Sequence, residues 1–271
     1  MEIPEDFQRF WRALDDLMES VRPTWWGAVV TDSRFPGIWD VNYARIDSPA
    51  EDLSAAEIQE ELLPALNASG AKMMHVVTFH PERTTGVLTE LSTRGHKLGW
   101  DLVMRAAGSP TSAEPSTDAR VEEIAWGPQM RQAVVESLAL FDVDDPVAVW
   151  QLIRQEEEVL IPAGTRWFGV RDDEGRIVSL AALLVLEDVG YLDNVATLPH
   201  ARRKGYAEAL ARRCRIEAQA AGASSICLLA DPDDPSTIRI YERVGFQGCG
   251  KLGSTKGPLP GAQDQSTGGG S

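Results

Sequence analysis

The chain has 271 residues, 43% apolar and 25% charged, with 26 Lys+Arg against 41 Asp+Glu for a net charge of −15. That composition suits a folded globular protein of one large domain or two small ones and excludes a disordered chain. Such acidity argues against nucleic acid or an anionic membrane surface as partner, since both are held by Lys and Arg, and leaves solubility or a cationic small molecule as its meaning.

Residues 3–21 carry Phe7, Phe10, Trp11, Leu14 and Leu17/Met18 at helical spacing and read as an amphipathic helix. Residues 25–46 change to Trp, Val, Ile and Tyr, with turn residues at 34–37, and read as two strands. Ser54 and Glu57 form a capping box for a helix running to about Ala68 and ending near Gly70. A strand over 72–79, a helix over 82–94 closed by Gly95 and a strand over 97–105 follow. Residues 107–118, AGSPTSAEPSTD, read as a linker.

Beyond the linker, strands are expected at 121–126, 166–171, 177–186 and 190–197, with helices at 129–140 and 146–158. The turn Asp172-Asp173-Glu174-Gly175 makes a hairpin of the second and third of these strands. A helix over 204–221, a strand over 225–229, a helix over 235–244 closed by Gly245 and a final strand over 246–252 complete the pattern. From Gly253 the Gly, Pro, Ser and Gln content reads as a disordered tail. Each half is therefore α/β with a mixed sheet.

Cys214, Cys227 and Cys249 are too few and too scattered for a disulfide framework or a zinc site and fit a reducing cytosol; no metal is expected. The N-terminus MEIPEDFQRFW lacks the basic and apolar regions of a signal peptide. The longest apolar run, 177–186, is broken only by Ser179 and is far shorter than the roughly 20 residues of a membrane helix.

The informative stretch runs from Leu192 to Phe246. A strand gives way to a loop and helix start reading Arg202-Arg203-Lys204-Gly205-Tyr206-Ala207. Helix N-termini present unpaired N–H groups and a positive dipole end, which suit phosphate. Gly205 and Ala207 allow close approach of a ligand. Residues 202–215 hold six basic side chains and one acid, Glu208.

These residues resemble the GNAT N-acetyltransferase superfamily. Its strand is followed by [Arg/Gln]-x-x-Gly-x-[Gly/Ala], matched by Arg202-x-x-Gly205-x-Ala207, and its later helix ends in a Tyr-x-x-x-Gly-Phe pattern, matched by Tyr241 to Gly245-Phe246. The resemblance covers residues 119–252. It implies acetyl-CoA as co-substrate, with its pyrophosphate on the backbone N–H groups of Arg203, Lys204, Gly205, Tyr206 and Ala207, Arg202 flanking, and its pantetheine arm along Val195, Ala196 and Thr197. It implies direct attack of an amine on the thioester, a strand N–H stabilising the oxyanion, and Tyr241 donating a proton to the leaving thiolate. Asp193 is the first candidate for general base, with Glu187 and Asp188 as alternatives. Where the family often has Asn seven residues before the Tyr, this chain has Asp234, which puts that cofactor contact in doubt and favours a cationic acceptor.

The first half can be laid on the second. Asn42-Tyr43-Ala44-Arg45-Ile46 matches Asn194-Val195-Ala196-Thr197-Leu198, and Leu91-x-x-x-Gly95 matches Tyr241-x-x-x-Gly245. Asn42 to Gly95 is 53 positions and Asn194 to Gly245 is 51. The functional residues are not repeated. Pro49-Ala50-Glu51-Asp52-Leu53-Ser54 replaces the basic turn, and residues 51–61 hold five acids and no base. The expected organisation is a degenerate copy at 1–106, a linker at 107–118, an active domain at 119–252 and a tail at 253–271. The degenerate copy is expected to bind no CoA. His75 and His80 read as structural, Trp25, Trp26 and Trp39 as core or domain-interface aromatics rather than ligand platforms, and Cys249 has no activated-thiol context.

The expected activity is acetyl transfer to a primary amine of a small cationic molecule, in a cytoplasmic monomer or homodimer. A non-catalytic CoA-binding or interaction module, or a tandem acyltransferase of a low-molecular-weight thiol precursor, is the alternative. Residues 1–119 carry 10 basic and 19 acidic side chains, and residues 120–271 carry 16 and 22. The basic island at 202–215 stands against that acidic background.

Overall fold

The computed structural model describes residues 2–49, 51–108 and 119–260. Most of the expected linker (109–118) and the end of the tail (261–271) lie outside the described residues. In chain order the elements are α1 (Glu5–Asp15), β1 (Ser20–Pro23), β2 (Gly27–Thr31), β3 (Tyr43–Ile46), α2 (Ala55–Ser69), β4 (Met73–Thr78), α3 (Thr85–Thr93) and β5 (Lys97–Ala107). Then come β6 (Glu122–Glu123), α4 (Pro128–Leu138), α5 (Pro146–Gln155), β7 (Arg166–Arg171), β8 (Ile177–Leu186), β9 (Val189–Thr197), α6 (Tyr206–Ala220), β10 (Ser225–Ala230), α7 (Pro235–Val244) and β11 (Gln247–Pro258). No helix among the described residues is long and apolar enough to cross a membrane.

The chain forms two compact units. One comprises the described residues of Met1–Ile3, Asp15–Asp101 and Lys251–Ser271, the other Pro4–Leu14 and Leu102–Gly250. In the first, β1, β2 and β3 are antiparallel neighbours, β3 pairs parallel with β4, and β4 pairs antiparallel with residues Gly253 to Pro258 of β11. The Ser54–Glu57 capping box starts α2, and Gly70 ends it at φ +73°, a left-handed conformation that costs glycine little. Ile58, Leu62 and Leu66, one helical turn apart, are fully buried against Ala44, Ile46, Met74 and Val76.

The second unit repeats this order. β7, β8 and β9 are antiparallel, β9 pairs parallel with β10, and β10 pairs antiparallel with Leu102 to Ala107 of β5. Helices α2 and α6 occupy the same crossover, and α3 and α7 both follow the fourth strand. The fold is α/β with a mixed sheet, as expected.

The compact units do not follow the boundaries read from the linker. The last strand of each comes from the other half of the sequence: β11 completes the first and β5 the second. The helix α1, expected with the first half, packs in the second unit. Phe7 and Phe10 are fully buried there, Phe10 stacks on Tyr191 with centroids 5.0 Å apart, and Asp6 accepts from Arg105 Nε at 2.6 Å and Ser225 Oγ at 2.7 Å. A chain of residues 119–260 alone is therefore expected to lack cooperative unfolding, because it lacks α1 and exposes the β10 edge. Co-expression with residues 1–108 should restore it. A native-like melting transition of 119–260 alone would contradict this assignment.

Three expected elements differ. The first helix ends at Asp15, because Val21 and Pro23 suit an extended edge strand better than a helix, and Ser20–Pro23 pairs with β2. The strand expected at 121–126 shrinks to two residues. The tail is ordered through Pro258 as strand. Its glycines serve close packing: a Cβ at Gly257 would lie 2.6 Å from the His96 ring, and one at Gly253 3.0 Å from Pro81.

Candidate active site

Strand β9 carries the residues expected to meet the co-substrate. It pairs with β10 only over Val189 to Tyr191, opposite Ser225 to Cys227, so Leu192 to Thr197 have no partner on that side. The parallel pair opens into a cleft whose wall is the edge of β9. Against β8 the register shifts between Leu180, opposite Ala196, and Ala182, opposite Asp193. One extra residue on β9 makes a bulge at Asn194, whose φ of +51° suits asparagine better than most residues. A bulge takes backbone groups out of the ladder and re-aims them, here beside Val195, Ala196 and Thr197.

The strand ends in a 3₁₀ turn at Pro199–Ala201, and the basic turn follows. Arg203 and Gly205 both take left-handed φ values, +63° and +77°. Gly205 is the N-cap of α6, so that position has no side chain to cap it, and the first helical bond runs from Ala209 N–H to Gly205 O at 3.0 Å. The amides of Tyr206, Ala207 and Glu208 precede that bond and point out of the positive end of the helix. Arg202 Nε folds back onto Thr197 O at 3.2 Å.

The rest of the basic island is used elsewhere. Arg212 and Arg243 pair with Glu208, Arg213 pairs with Glu217 at 2.8 Å, and the buried Arg215 donates to Val244 O and Ala107 O. Among the described residues, no carboxylate pairs with Arg203 or Lys204. Thus three of the six bases secure the helix, and the other three, Arg202, Arg203 and Lys204, lie at the turn.

Tyr241 lies on α7, 6% exposed, with its ring against Phe246 at 5.9 Å. Burial, with the charge of Asp193 next in weight, holds its phenol well above the usual range, so it stays protonated at neutral pH. Asp193 lies on β9 with its side chain exposed to solvent. Desolvation raises its carboxyl, opposed by the Asn194 N–H that donates to Oδ1 at 2.8 Å.

A third ionisable group belongs with these two. After α5 the helix widens into one π-helical turn, Glu156–Leu160. Glu156 is 5% exposed, and Trp167 Nε1 donates to its Oε1 at 2.6 Å. Burial pushes its carboxyl up to about 7; the indole N–H opposes this and the charge of Asp193 adds to it. The sequence reading missed Glu156 because it opens a run of three glutamates that looks like a solvated helix face. The one local sign was the apolar spacing of Ile153 and Val159 around it.

The alternative bases do not join the site. Glu187 and Asp188 form the left-handed turn between β8 and β9, at the opposite end of β9 from the basic turn. Asp188 there pairs with Arg9 at 2.6 Å and accepts from Ser224 Oγ. Asp234 is the N-cap of α7, accepting from the amides of Ser236 and Thr237, and their hydrogen bonds lower its carboxyl to about 2. Its oxygens therefore cap the helix while it stays ionised at neutral pH.

Other readings stand as structure. His75 is buried and held neutral, its value lowered to about 3 by desolvation and by Lys256. His80 Nε2 meets Asp47 O at 2.8 Å. Trp26 is core and Trp39 packs edge-on against His75, while Trp25 is 63% exposed and so is not a core residue. Burial raises all three thiols, Cys249 to about 11, so none is a thiolate at neutral pH. Among the described residues, no group of three potential ligands could hold a metal ion.

The corresponding place in the first unit is built differently. β3 pairs with β4 through Ala44 to Ile46, opposite Val76 to Thr78, where the second unit opens its cleft. The α2 N-terminus is occupied from within: Glu57 N–H donates to Ser54 Oγ at 3.3 Å and Ala55 N–H to Glu90 Oε2 at 3.0 Å.

Residues 129–246 match the family described as Acetyltransferase (GNAT) family. Curated proteins contain no match to the chain. Among solved structures, it is similar to a functionally unknown conserved protein from Staphylococcus epidermidis, with 10% identity, coverage of 85% of this chain and 90% of that one, and a TM-score of 0.60. It is similar to a GCN5-related N-acetyltransferase from Kribbella flavida, at 19% identity, 93% and 95% coverage and a TM-score of 0.58. A GCN5-related N-acetyltransferase from Sphaerobacter thermophilus gives 17%, 75% and 67%, and 0.53. At such identities the likeness is one of fold.

Proposed function

The chain carries, over residues 129–246, a domain of the GNAT acetyltransferase family, and from that premise we propose that it is an acetyl-CoA-dependent N-acetyltransferase acting on a primary amine of a small cationic molecule. The observation that carries this reading is the pairing of an opened β9 edge with a helix N-terminus that no side chain caps. The residues fit the donor. The amides of Tyr206, Ala207 and Glu208, with Arg203 and Lys204 beside them, suit its pyrophosphate, and the absence of a side chain at Gly205 lets it approach. The free edge at Val195, Ala196 and Thr197 suits a pantetheine amide chain. When bound, the donor supplies an acetyl group activated as a thioester.

The chain's own groups do the rest. A backbone N–H beside the Asn194 bulge polarises the acetyl carbonyl. Asp193 draws the acceptor's ammonium to the cleft; one of the ammonium's protons is lost to solvent to free the lone pair, and Asp193 takes the second as the new bond forms and returns it to Tyr241. The amine nitrogen bonds to the carbonyl carbon, the carbon–sulfur bond breaks, and the Tyr241 hydroxyl gives its proton to sulfur. The negative charge of Asp193 disfavours anionic acceptors. The first unit serves as a copy without a CoA site, a reading supported by its closed strand pair and self-capped α2.

Calorimetric titration with acetyl-CoA, followed by thiol release with aminoglycosides, polyamines, amino acids and peptide N-termini, tests the proposal. Binding with acetylation of at least one cationic amine is expected. Binding without turnover by any of them leaves a non-catalytic CoA module, and no binding removes the reading altogether.

A further inference from the structure

Three strands place one row of side chains on a single face of the second unit's sheet. Trp167 on β7 is opposite Ala182 on β8, and Ala182 is opposite Asp193 on β9. In-register neighbours point the same way, so Trp167 and Asp193 flank Ala182 at two strand spacings, roughly 10 Å. Ala182 between them is small and buried. Leu192 lies in the core beneath α6, so the next residue, Asp193, faces the other side, where Trp167 packs among Met130 of α4 and Ile153 of α5. Glu156 stands over this row, one oxygen on the Trp167 indole. Among the described residues, no donor meets its other oxygen.

We propose that Glu156 is a second carboxylate of the acceptor site, bracketing the incoming primary ammonium together with Asp193 and taking its first proton. This rests on the acetyltransferase reading and deepens it. An ammonium must shed two protons to become an amide: one to free the lone pair for attack, the second as the new carbon–nitrogen bond forms. Glu156 takes the first and later releases it to water. Asp193 takes the second and returns it to Tyr241 after the tyrosine has protonated sulfur. Protons balance, with one lost to solvent per turnover, and no oxidant or metal is needed. Two carboxylates so placed select a cation with a primary amine over a neutral or anionic acceptor.

A structural role alone does not need a glutamate. The Trp167 N–H requires one acceptor, which glutamine supplies without burying a charge. π-Helical turns are uncommon and often mark functional positions, and this one brings Glu156 into the interior. The charged groups around it are few. Glu157 accepts from Trp126 and Arg131, Glu158 pairs with Arg154, and the negative charge of Asp193 on β9 acts on it. An acceptor poised near neutrality suits proton transfer at physiological pH.

The test combines carboxyl ¹³C NMR and kinetics on the full chain. Glu156→Gln identifies the Glu156 resonance, whose midpoint is expected near 7. Asp193→Asn should lower that midpoint by roughly half a unit or more, since it removes a neighbouring negative charge. With spermidine, tyramine and kanamycin as amine probes, Glu156→Gln should cut kcat about 100-fold or more and abolish the acidic limb of kcat/KM, with acetyl-CoA affinity within about twofold. A Glu156 midpoint in the ordinary carboxylate range, one indifferent to Asp193→Asn, or full turnover by Glu156→Gln would overturn the proposal. If the wild-type protein acetylates no amine, the acetyltransferase reading fails, while the NMR arm still decides whether the two carboxylates share a site.

Discussion

Tyr241→Phe is expected to lower kcat for amine acetylation by about 100-fold or more while leaving acetyl-CoA affinity within about twofold. The reason lies in what the substitution spares. The ring stays in its place against Phe246 and the second unit's core, so packing is unchanged. The hydroxyl makes no hydrogen bond to another described residue, so its loss leaves no stranded partner. What disappears is a phenol that burial keeps protonated, the proton donor to the departing sulfur in the mechanism proposed above. Thiol release under saturating acetyl-CoA, with the melting temperature as control, measures this. A fully active Tyr241→Phe would remove Tyr241 from the chemistry and make it a core aromatic.

Gly205→Glu should reduce acetyl-CoA affinity by about 100-fold or more. Two effects act together. Gly205 sits at φ +77°, where a side chain costs on the order of 1 kcal/mol. A carboxylate there also places negative charge at the positive end of α6, competing with phosphate for the same amides. Gly205→Ala separates them, since it carries the strain alone, and a loss of only several-fold is expected. Glu51→Gln and Asp52→Asn, at the equivalent turn of the first unit, should leave affinity unchanged. Calorimetry reads all four variants. Comparable losses from both turns would defeat the single-site reading, as would tight binding by Gly205→Glu.

The features that proved legible are those whose physics is local. A capping box, a glycine that ends a helix, and Arg202-x-x-Gly205-x-Ala207 at a strand–helix junction each act within a few residues. So the turn, α6 and Tyr241 near the end of α7 could be placed from sequence, and the difference in charge between residues 51–61 and 202–215 could be read as a difference between two copies. The same local logic misled where a residue's role depended on what packs beside it. Gly253 and Gly257 resemble flexible tail, yet β4 and the His96 ring require their lack of side chains. Arg212, Arg213 and Arg215 resemble part of a phosphate site, yet Glu208, Glu217 and buried carbonyls hold them.

By itself, then, the sequence determined the α/β pattern, the duplicated order of elements, the basic turn and the candidate acid Tyr241. Only the tertiary structure decided which strands complete each unit, that β9 parts from β10 while β3 stays bonded to β4, and that Glu156 is buried against Trp167 where the charge of Asp193 reaches it. Helix starts and turns follow from hydrogen bonds between neighbours in the chain. A strand's partner and a carboxylate's burial follow from contacts between residues far apart in it. Glu156 and Asp193 are 37 residues apart in sequence, and no local rule brings two acids together at that separation.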